Sequence, residues 1–254
     1  MSDPQSSFAV NAARRLRTLP RKLCRKLGLQ KLLYLFLSKG HAELRFQRDW
    51  VRQFSAQPEK TREYWEKYRC FSDVLRLCAM SSRSKALDVG CGISTVLHFL
   101  PGERHGIDPL ADEYHKLYRY PDGMSVISAS GEDIPFPDAS FDVAFCSNVL
   151  DHVSDPRQVM TEMARVLKPG GHFVLTLELF DSDAKGKRDP AHPYQFSRQG
   201  AVDLVSPWFT VEHEDTSPCI SLAMYYANKL PPHTREELIL ICERRGGPVS
   251  ADSS

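Results

Sequence analysis

The sequence predicts an α/β fold built on a mostly parallel sheet of seven strands, with helices on both faces and an antiparallel last strand. Three observations support this. From Lys85 onward, short apolar runs alternate with helical patterns, as in strands joined by crossover helices. The stretch 85–109 has the order strand, glycine turn, helix and strand. Between the last two strand candidates there is no clear long helix, which favours an antiparallel return.

The individual elements follow from hydrophobic periodicity. Residues 42–80 have a helical pattern, with a helix start at Pro58 and an aromatic stripe that includes Tyr64 and Tyr68. Such a stripe is more typical of core packing than of a ligand site. We expect strands at 85–89, 104–108, 124–129, 141–147, 171–178, 209–214 and 237–243. We expect helices at 93–100, 110–119, 156–167 and 197–206.

Charge is distributed unevenly along the chain. Of the 254 residues, 42% are hydrophobic and 26% are charged, which is typical of a globular protein. Residues 1–40 contain nine Lys or Arg and one acid, Asp3, whereas the rest of the chain is mildly acidic. We expect one domain at 41–245, which includes the helical preface 42–80. A basic N-terminal helical extension at 1–40 precedes it, and a disordered tail at 246–254 follows.

The extension has two interpretations. Leucines alternate with basic residues over 11–38, so this segment either lies on an anionic membrane or packs its leucines on the domain. The apolar run Leu32–Leu37 is far too short to span a bilayer. We therefore expect a cytoplasmic protein with a candidate peripheral membrane contact. Nucleic acid is a disfavoured partner, because the basic cluster is confined to the extension.

Cysteine spacing argues against a metal centre. The seven cysteines are odd in number and form no Cys-x-x-Cys pair. Several lie in apolar runs, where cysteine acts as a small hydrophobic residue. We expect a reducing compartment, no disulfide framework and no metal site.

The stretch 85–109 indicates a nucleoside-containing ligand. Asp88 and Asp108 close the first two strands and lie twenty residues apart. Gly90 and Gly92 would let the backbone approach a ligand where a Cβ would clash. The acid that ends the second strand is placed to accept hydrogen bonds from a ribose diol.

Further motifs specify the kind of ligand. Four segments occur in order: 87–92 (LDVGCG), 131–143 (GEDIPFPDASFDV), 147–153 (SNVLDHV) and 162–171 (EMARVLKPGG). Together they resemble the class I S-adenosylmethionine (SAM)-dependent methyltransferases of the small-molecule "type 11" (UbiE-like) superfamily, which have a Rossmann-like sheet. The resemblance covers residues 85–178 most specifically.

The resemblance implies SAM as cofactor and assigns its contacts. Asp88 would help to hold the methionine α-ammonium, and Asp108 would bind the ribose hydroxyls. Ser94 matches a third small position of the loop and could cap the following helix. Ser130 stands where many relatives have an Asp that contacts adenine, so adenine recognition here would rely more on the backbone. The implied cofactor-binding set is Asp88, Gly90, Cys91, Gly92, Asp108, Pro109, Ser130, Gly131, Glu132, Ser147 and Asn148.

The acceptor side is predicted from the segments that leave the fourth and fifth strands. His152 is a candidate general base or substrate contact, with a helix-cap or packing histidine as the alternative. The polar loop 181–196 resembles a lid. Its His192 and Tyr194 would either contact the acceptor or anchor the loop, and His192 is also a candidate catalytic residue. A sulfonium donor needs no metal.

These observations leave three hypotheses about function. The first is SAM-dependent methyl transfer, at oxygen, to a small-molecule, lipid-linked or glycan acceptor. The second is a nicotinamide-dependent dehydrogenase, which shares the glycine turn and the distal acid. The third is a non-catalytic domain that binds SAM or a partner. The sequence leaves the acceptor, the use of a general base and the oligomeric state open.

Overall fold

The computed structural model describes residues 43–53, 57–180, 193–228 and 235–246. The amphipathic segment 11–38, most of the expected lid (181–192) and residues 247–254 lie outside the described residues. The chain divides into two compact units, residues 1–45 and 46–254, and the whole sheet belongs to the second. Within the described ranges, no helix is long and apolar enough to cross a membrane.

Seven strands form one sheet in the order β3-β2-β1-β4-β5-β7-β6. Parallel pairing joins β3, β2, β1, β4 and β5, whereas β7 runs antiparallel to both β5 and β6. The predicted mostly parallel sheet with an antiparallel last strand is therefore confirmed. The strands are β1 (Lys85–Val89), β2 (Glu103–Ile107), β3 (Met124–Ile127), β4 (Phe141–Ser147), β5 (Leu167–Glu178), β6 (Phe209–Pro218) and β7 (Glu236–Arg244).

Two strands exceed their predicted length by four residues each. Strand β5 begins at Leu167, which pairs with Phe141 ahead of a register shift. The sequence 168–171 therefore forms an irregular part of the strand, with Gly170 at φ 75°, and the preceding helix ends at Val166. Strand β6 continues to Pro218 because β7 pairs with it along its full length.

Helices cover the sheet, but two of them are much shorter than predicted. The expected helix 93–100 is only a 3-10 helix at Val96–Phe99, because it starts after its capping residue Thr95, which has ψ 146°, and ends before Leu100, which is extended. The expected helix 110–119 is reduced to Ala111–Tyr114. The α-helices are α1 (43–53), α2 (Pro58–Tyr68), α3 (Phe71–Leu77), α4 (Ala111–Tyr114), α5 (Pro156–Val166), α6 (Arg198–Val205) and α7 (Leu222–Tyr226).

The core lies on the two faces of the sheet, as the alternation of side chains along a strand requires. On one face, Ala144 and Cys146 of β4 pack with residues of α5 and α6. On the other, Val143 and Phe145 pack with the preface helices. Tyr64 and Tyr68 are buried there, and the Tyr64 hydroxyl donates to the Ile220 carbonyl at 2.8 Å. The preference for core packing of the aromatic stripe is therefore confirmed.

A buried ion pair joins the preface to the sheet. The Arg69 guanidinium, at the end of α2, contacts the Glu237 carboxylate at the start of β7, and their side chains are 4% and 0% exposed. Arg69 also donates to the Tyr64 hydroxyl and to the Tyr68 carbonyl. Burial raises the pKa of Glu237. The Arg69 charge and hydrogen bonding from Thr176 and Asn148 oppose that shift.

We predict that Arg69→Met lowers the free energy of unfolding by about 3–5 kcal/mol, because it leaves a carboxylate buried without its counter-charge. Urea denaturation followed by circular dichroism measures the change. Lys116→Met is the matched control, since Lys116 pairs with Glu113 at the surface and such pairs contribute little. The double variant Arg69→Met/Glu237→Leu should recover part of the loss. Equal effects of Arg69→Met and Lys116→Met would contradict the prediction.

Candidate cofactor and acceptor site

The sheet places a crevice at the carboxyl ends of β1 and β4. After β1 the chain moves outward to β2 and β3, and it then returns to the opposite side of β1 to form β4. Strand order therefore reverses between these two strands. Open α/β sheets bind ligands outside the carboxyl ends of their strands at such a point.

Asp88 is one of the buried carboxylates at this edge. It lies within β1, is 4% exposed, and its Oδ2 accepts a hydrogen bond from the Thr95 hydroxyl at 2.6 Å. Burial raises the pKa of Asp88 to about 7, and the nearby Asp108 carboxylate adds to that shift, whereas the Thr95 hydrogen bond opposes it. Thr95 also caps the 3-10 helix through a bond from the Leu97 amide, a role that the sequence analysis considered for Ser94.

The glycine loop turns tightly between β1 and the 3-10 helix. The amides of Gly90 and Cys91 both donate to the Ile107 carbonyl, at 2.8 and 3.2 Å. Gly90 has φ 70°, and a Cβ there would lie 2.4 Å from Val149 Cγ2. Any other residue would thus be strained at Gly90 both by its backbone conformation and by contact with the loop after β4.

Asp108 lies beside this loop at the end of β2. Its Oδ2 accepts from the Gly92 amide at 3.2 Å and its Oδ1 from the Leu110 amide at 2.8 Å. Pro109 follows, and its carbonyl accepts from the Ser128 hydroxyl. The structure therefore brings Asp88, the glycine loop and Asp108 together.

Two residues that sequence reasoning missed also contact the loop. The side-chain oxygen of Gln47, on α1, accepts a hydrogen bond from the Ile93 amide at 3.0 Å. A Cβ at Gly92 would lie only 2.7 Å from Gln47 Nε2. The Tyr120 hydroxyl donates to the Gly92 carbonyl at 3.0 Å. Gln47 could have been noticed in the sequence, because it is a polar residue between the aromatic residues Phe46 and Trp50. Nothing in the local sequence marks Tyr120.

The segment expected at the adenine end forms a compact turn. The Ser130 hydroxyl donates to the Glu132 carboxylate and accepts from the Glu132 amide. Glu132 Oε1 also accepts from the Ser154 amide at 2.7 Å, which ties this turn to the loop after β4. Gly131 lies against Val89, where a Cβ would come within 2.9 Å of Cγ1. The three residues thus lie next to the glycine loop.

Ser147 and Asn148 end β4 at the same edge. The Ser147 hydroxyl oxygen is buried and has no hydrogen-bond partner among the described residues. Asn148 has φ 55°, is exposed, and its amide donates to the Thr176 carbonyl at 2.9 Å. Its side chain also reaches the buried Glu237. Asn148 therefore connects the crevice to the Arg69–Glu237 pair.

The structure places one of the two candidate histidines. His152 lies in the turn after β4, with Nε2 3.7 Å from the Asp151 carboxylate and a side chain that is 32% exposed. The Tyr194 hydroxyl donates to the Ser154 carbonyl at 2.6 Å, so Tyr194 lies against the same turn. His192 is outside the described residues. The ends of the segment that contains it are held close by the bond from the Phe180 amide to the Phe196 carbonyl.

This arrangement suits a cationic, nucleoside-containing ligand. Asp88 and Asp108 place two neighbouring carboxyl groups beside a loop whose glycines adopt left-handed conformations. A buried carboxylate whose ionised form is destabilised gains from a cation brought next to it. The fold and the site together define the class I, Rossmann-like methyltransferase architecture, in which SAM carries both a sulfonium and an α-ammonium.

Comparison with known proteins identifies a domain. Residues 87–175 match the family model described as a methyltransferase domain, and this match implies SAM as the cofactor. The chain is 30% identical to the uncharacterized methyltransferase YcgJ of Bacillus subtilis, over 47% of this chain and 54% of that one. It is 35% identical to a demethylmenaquinone methyltransferase of Lysinibacillus sphaericus, over 46% of this chain and 53% of that one. The chain thus spans about half the length of these relatives.

Solved structures show the same fold. The YcgJ crystal structure matches with a TM-score of 0.52 and 19% identity, covering 69% of this chain and 98% of that one. The [4+2]-cyclase SpnF matches with a TM-score of 0.55 and 20% identity, covering 70% of this chain and 81% of that one. For residues 87–175, the family match favours the methyltransferase over the dehydrogenase.

The Asp88–Thr95 hydrogen bond predicts a pH-dependent loss of stability. The unfolded chain ionises this carboxyl near its ordinary pKa of 3.8 and the folded chain near 7, so its ionisation lowers stability as the pH rises through that range. Thr95→Val removes the bond that favours the carboxylate and raises the pKa further. The loss of free energy of unfolding caused by Thr95→Val should therefore be about 1–2 kcal/mol larger above pH 7 than below it.

The measurement is the free energy of unfolding at pH 5.5 and at pH 8.5. Loss of the helix cap lowers stability equally at both, so the difference between the two values isolates the bond to Asp88. Thr95→Ser keeps the hydroxyl and serves as the matched control. A Thr95→Val loss that is the same at both pH values would show that this hydrogen bond does not stabilise the ionised carboxyl.

Proposed function

We propose that the protein transfers a methyl group from SAM to an oxygen atom of a small-molecule acceptor, with lipid-linked and glycan hydroxyls as the favoured classes. The observation that carries this proposal is the Asp88–Asp108 pair beside the glycine loop, inside a segment that matches the methyltransferase domain. The demethylmenaquinone methyltransferase among the relatives supports a small-molecule acceptor. The basic, leucine-rich segment 11–38 supports a lipid-linked one.

The residues of the crevice fit SAM by charge and by shape. Bound SAM supplies a methyl group already activated by the positive sulfur, so the protein's task is alignment and exclusion of water. Asp88 would hold the α-ammonium and Asp108 the ribose hydroxyls. The positive φ angles of Gly90 and Gly92 allow a tight loop, across which the cofactor would lie. Cys91, whose side chain is buried, would contribute through its backbone.

The remaining predicted contacts would line the two ends of this cleft. The turn formed by Ser130, Gly131 and Glu132 would contact the adenine, and Pro109 would pack beside it. Because the Ser130 hydroxyl is already bonded to Glu132, backbone groups of this turn are the better candidates to recognise the adenine amino group. Ser147 and Asn148 would border the methyl group, where β4 ends.

The acceptor would enter above the turn that follows β4. His152 is partly exposed there and has Asp151 near its ring, an arrangement that can accept a hydroxyl proton as the oxygen attacks the methyl carbon. Tyr194 lies against the same turn and would contact the acceptor. His192, in the intervening loop, is proposed for the same side on sequence grounds. The residues of the chain would thus need no metal for this reaction.

A non-catalytic role is the second candidate. The fold does not exclude it, because the [4+2]-cyclase SpnF has the same fold and is named for a reaction other than methyl transfer. The fold alone therefore does not establish methyl transfer. Transfer and binding have to be measured separately.

We predict that Asp108→Asn weakens SAM binding at least tenfold, because the neutral amide replaces a carboxylate that can accept from both ribose hydroxyls. Calorimetric titration of the full-length protein with SAM measures the affinity. Asp112→Asn, four residues later on the exposed side of α4, is the matched control and should bind as the wild type does. Equal, tight binding by both variants would remove Asp108 from the site. Failure of the wild type to bind SAM would contradict the proposed function.

We predict that His152→Ala lowers kcat for an oxygen acceptor by about 10²–10⁴, the usual contribution of a general base, and leaves SAM affinity unchanged. The assay transfers label from methyl-labelled SAM to a library of hydroxyl compounds, lipid-linked and glycan compounds included. His115→Ala is the control, because His115 bonds to the Val126 carbonyl away from the turn after β4. Label on nitrogen or carbon would contradict oxygen transfer. SAM binding without transfer to any compound would favour the non-catalytic role.

A further inference from the structure

A second group of metal-ligating side chains lies away from the crevice. Cys70, between α2 and α3, faces His213 and Asp215 of the edge strand β6. One ligand atom from each residue lies within 4.8 Å of those of the other two. Strand β6 is the last strand of the sheet, four places from β1, so this group is separate from Asp88 and its loop.

The spacing of the three side chains follows from the secondary structure. His213 and Asp215 are alternate residues of one strand, so their side chains point to the same face. Cys70 Sγ already donates to Asp215 Oδ2 at 3.1 Å. In a tetrahedral zinc site, with Zn–S of about 2.3 Å and Zn–O of about 2.0–2.2 Å, these two atoms would lie about 3.5 Å apart. The observed arrangement therefore needs little adjustment to bind an ion.

The imidazole of His213 provides an independent observation. Its Nε2 is buried and has no hydrogen-bond partner in the part of the chain that the structure describes. A buried polar atom without a partner is costly, and such atoms call for a specific explanation. A metal ion held by the ring would account for it, because histidine binds metals through a ring nitrogen.

We propose that Cys70, His213 and Asp215 form a binding site for a divalent transition-metal ion, with water in the remaining position. A thiolate, an imidazole and a carboxylate together favour zinc over the harder magnesium and calcium ions. On binding, the metal replaces the thiol proton that Cys70 now donates to Asp215, and that proton passes to solvent. The site is independent of the proposed methyl transfer.

The ion would tie the preface helices to the edge of the sheet. The same strand already contacts α2 through the bond from the Ser217 hydroxyl to the Tyr68 carbonyl, at 2.9 Å. A metal bound to Cys70 and His213 would add a second link, at the start of α3. The absence of a Cys-x-x-Cys pair led the sequence analysis to expect no metal site. That argument covers only ligands that are close in sequence, and Cys70 and Asp215 are 145 residues apart.

The test uses the full-length protein, stripped of metal with a chelator and then titrated with Co²⁺ and with Zn²⁺. We expect one ion per chain, a thiolate-to-cobalt charge-transfer band, and a melting temperature that rises by about 5–10 °C at a hundredfold excess of Zn²⁺ over its Kd. Cys70→Ser should lose the band, and His213→Ala should weaken binding at least tenfold. Cys219→Ser, which removes another partly buried free thiol, is the matched control and should behave as the wild type does.

Several results would overturn the proposal. A wild type that binds neither ion, or binds without a thiolate band, has no such site. The same conclusion follows if Cys70→Ser retains the band, because the thiolate then comes from another cysteine. If Cys70→Ser unfolds, His213→Ala carries the test by itself, and unchanged affinity in that variant rules out the imidazole as a ligand. Loss of SAM binding in the experiments above would leave this result unaffected.

Discussion

The burial of the Asp88 carboxylate near the end of β1, an interior strand of the sheet, is the constraint on which the rest of the site depends. An ionised carboxylate in that position is costly because burial removes it from water, which also raises its pKa. The Thr95 hydroxyl offsets part of the cost, and Thr95 can reach Asp88 because the glycine loop folds the chain back beside β1. That loop in turn needs the left-handed conformations of Gly90 and Gly92. A cationic ligand would give the Asp88 carboxylate a further partner.

A second buried charge lies on the opposite side of the crevice. Glu237 begins β7, and because β7 is antiparallel, its first residues lie at the edge where β4 and β5 end. The carboxylate is held by Arg69 from the preface and is reached by Asn148 from the crevice. Rigid support of this kind matters for a reaction that depends on alignment. The preface helices thus contribute to the site as well as to the core.

The comparisons separate what the fold implies from what the family implies. Structures with about one-fifth identity to this chain share its sheet, and one of them is a cyclase. The family match over residues 87–175 is more specific, since it covers the loop, Asp108 and the strand that ends at Ser147. Of the proposed acceptor side, His152 lies inside that match, whereas Tyr194 and the rest of the loop 181–196 lie outside it. The identity of the acceptor is therefore partly a question about that loop.

Most of the sheet could be predicted from the sequence, because alternation within strands and glycines between elements are local signals. The bounds of β1 and β4 agree with prediction, and the last strand is antiparallel as expected. The prediction of a helix over 93–100 was wrong, because hydrophobic periodicity does not show where the chain becomes extended, as it does at Leu100. The sequence also predicts that Asp88 and Asp108 lie at the same edge of the sheet, since both residues end predicted parallel strands.

Contacts between residues far apart in the sequence were decided by the tertiary structure alone. Gln47 lies on the glycine loop, Tyr120 bonds to it, and Arg69 meets Glu237 only because the folded chain brings separate elements together. The same holds for Cys70 and His213. The sequence by itself determined the strands, the turn and the acids that close them, since each is specified by neighbouring residues. It did not determine which distant side chains would support them, because that depends on how the elements pack.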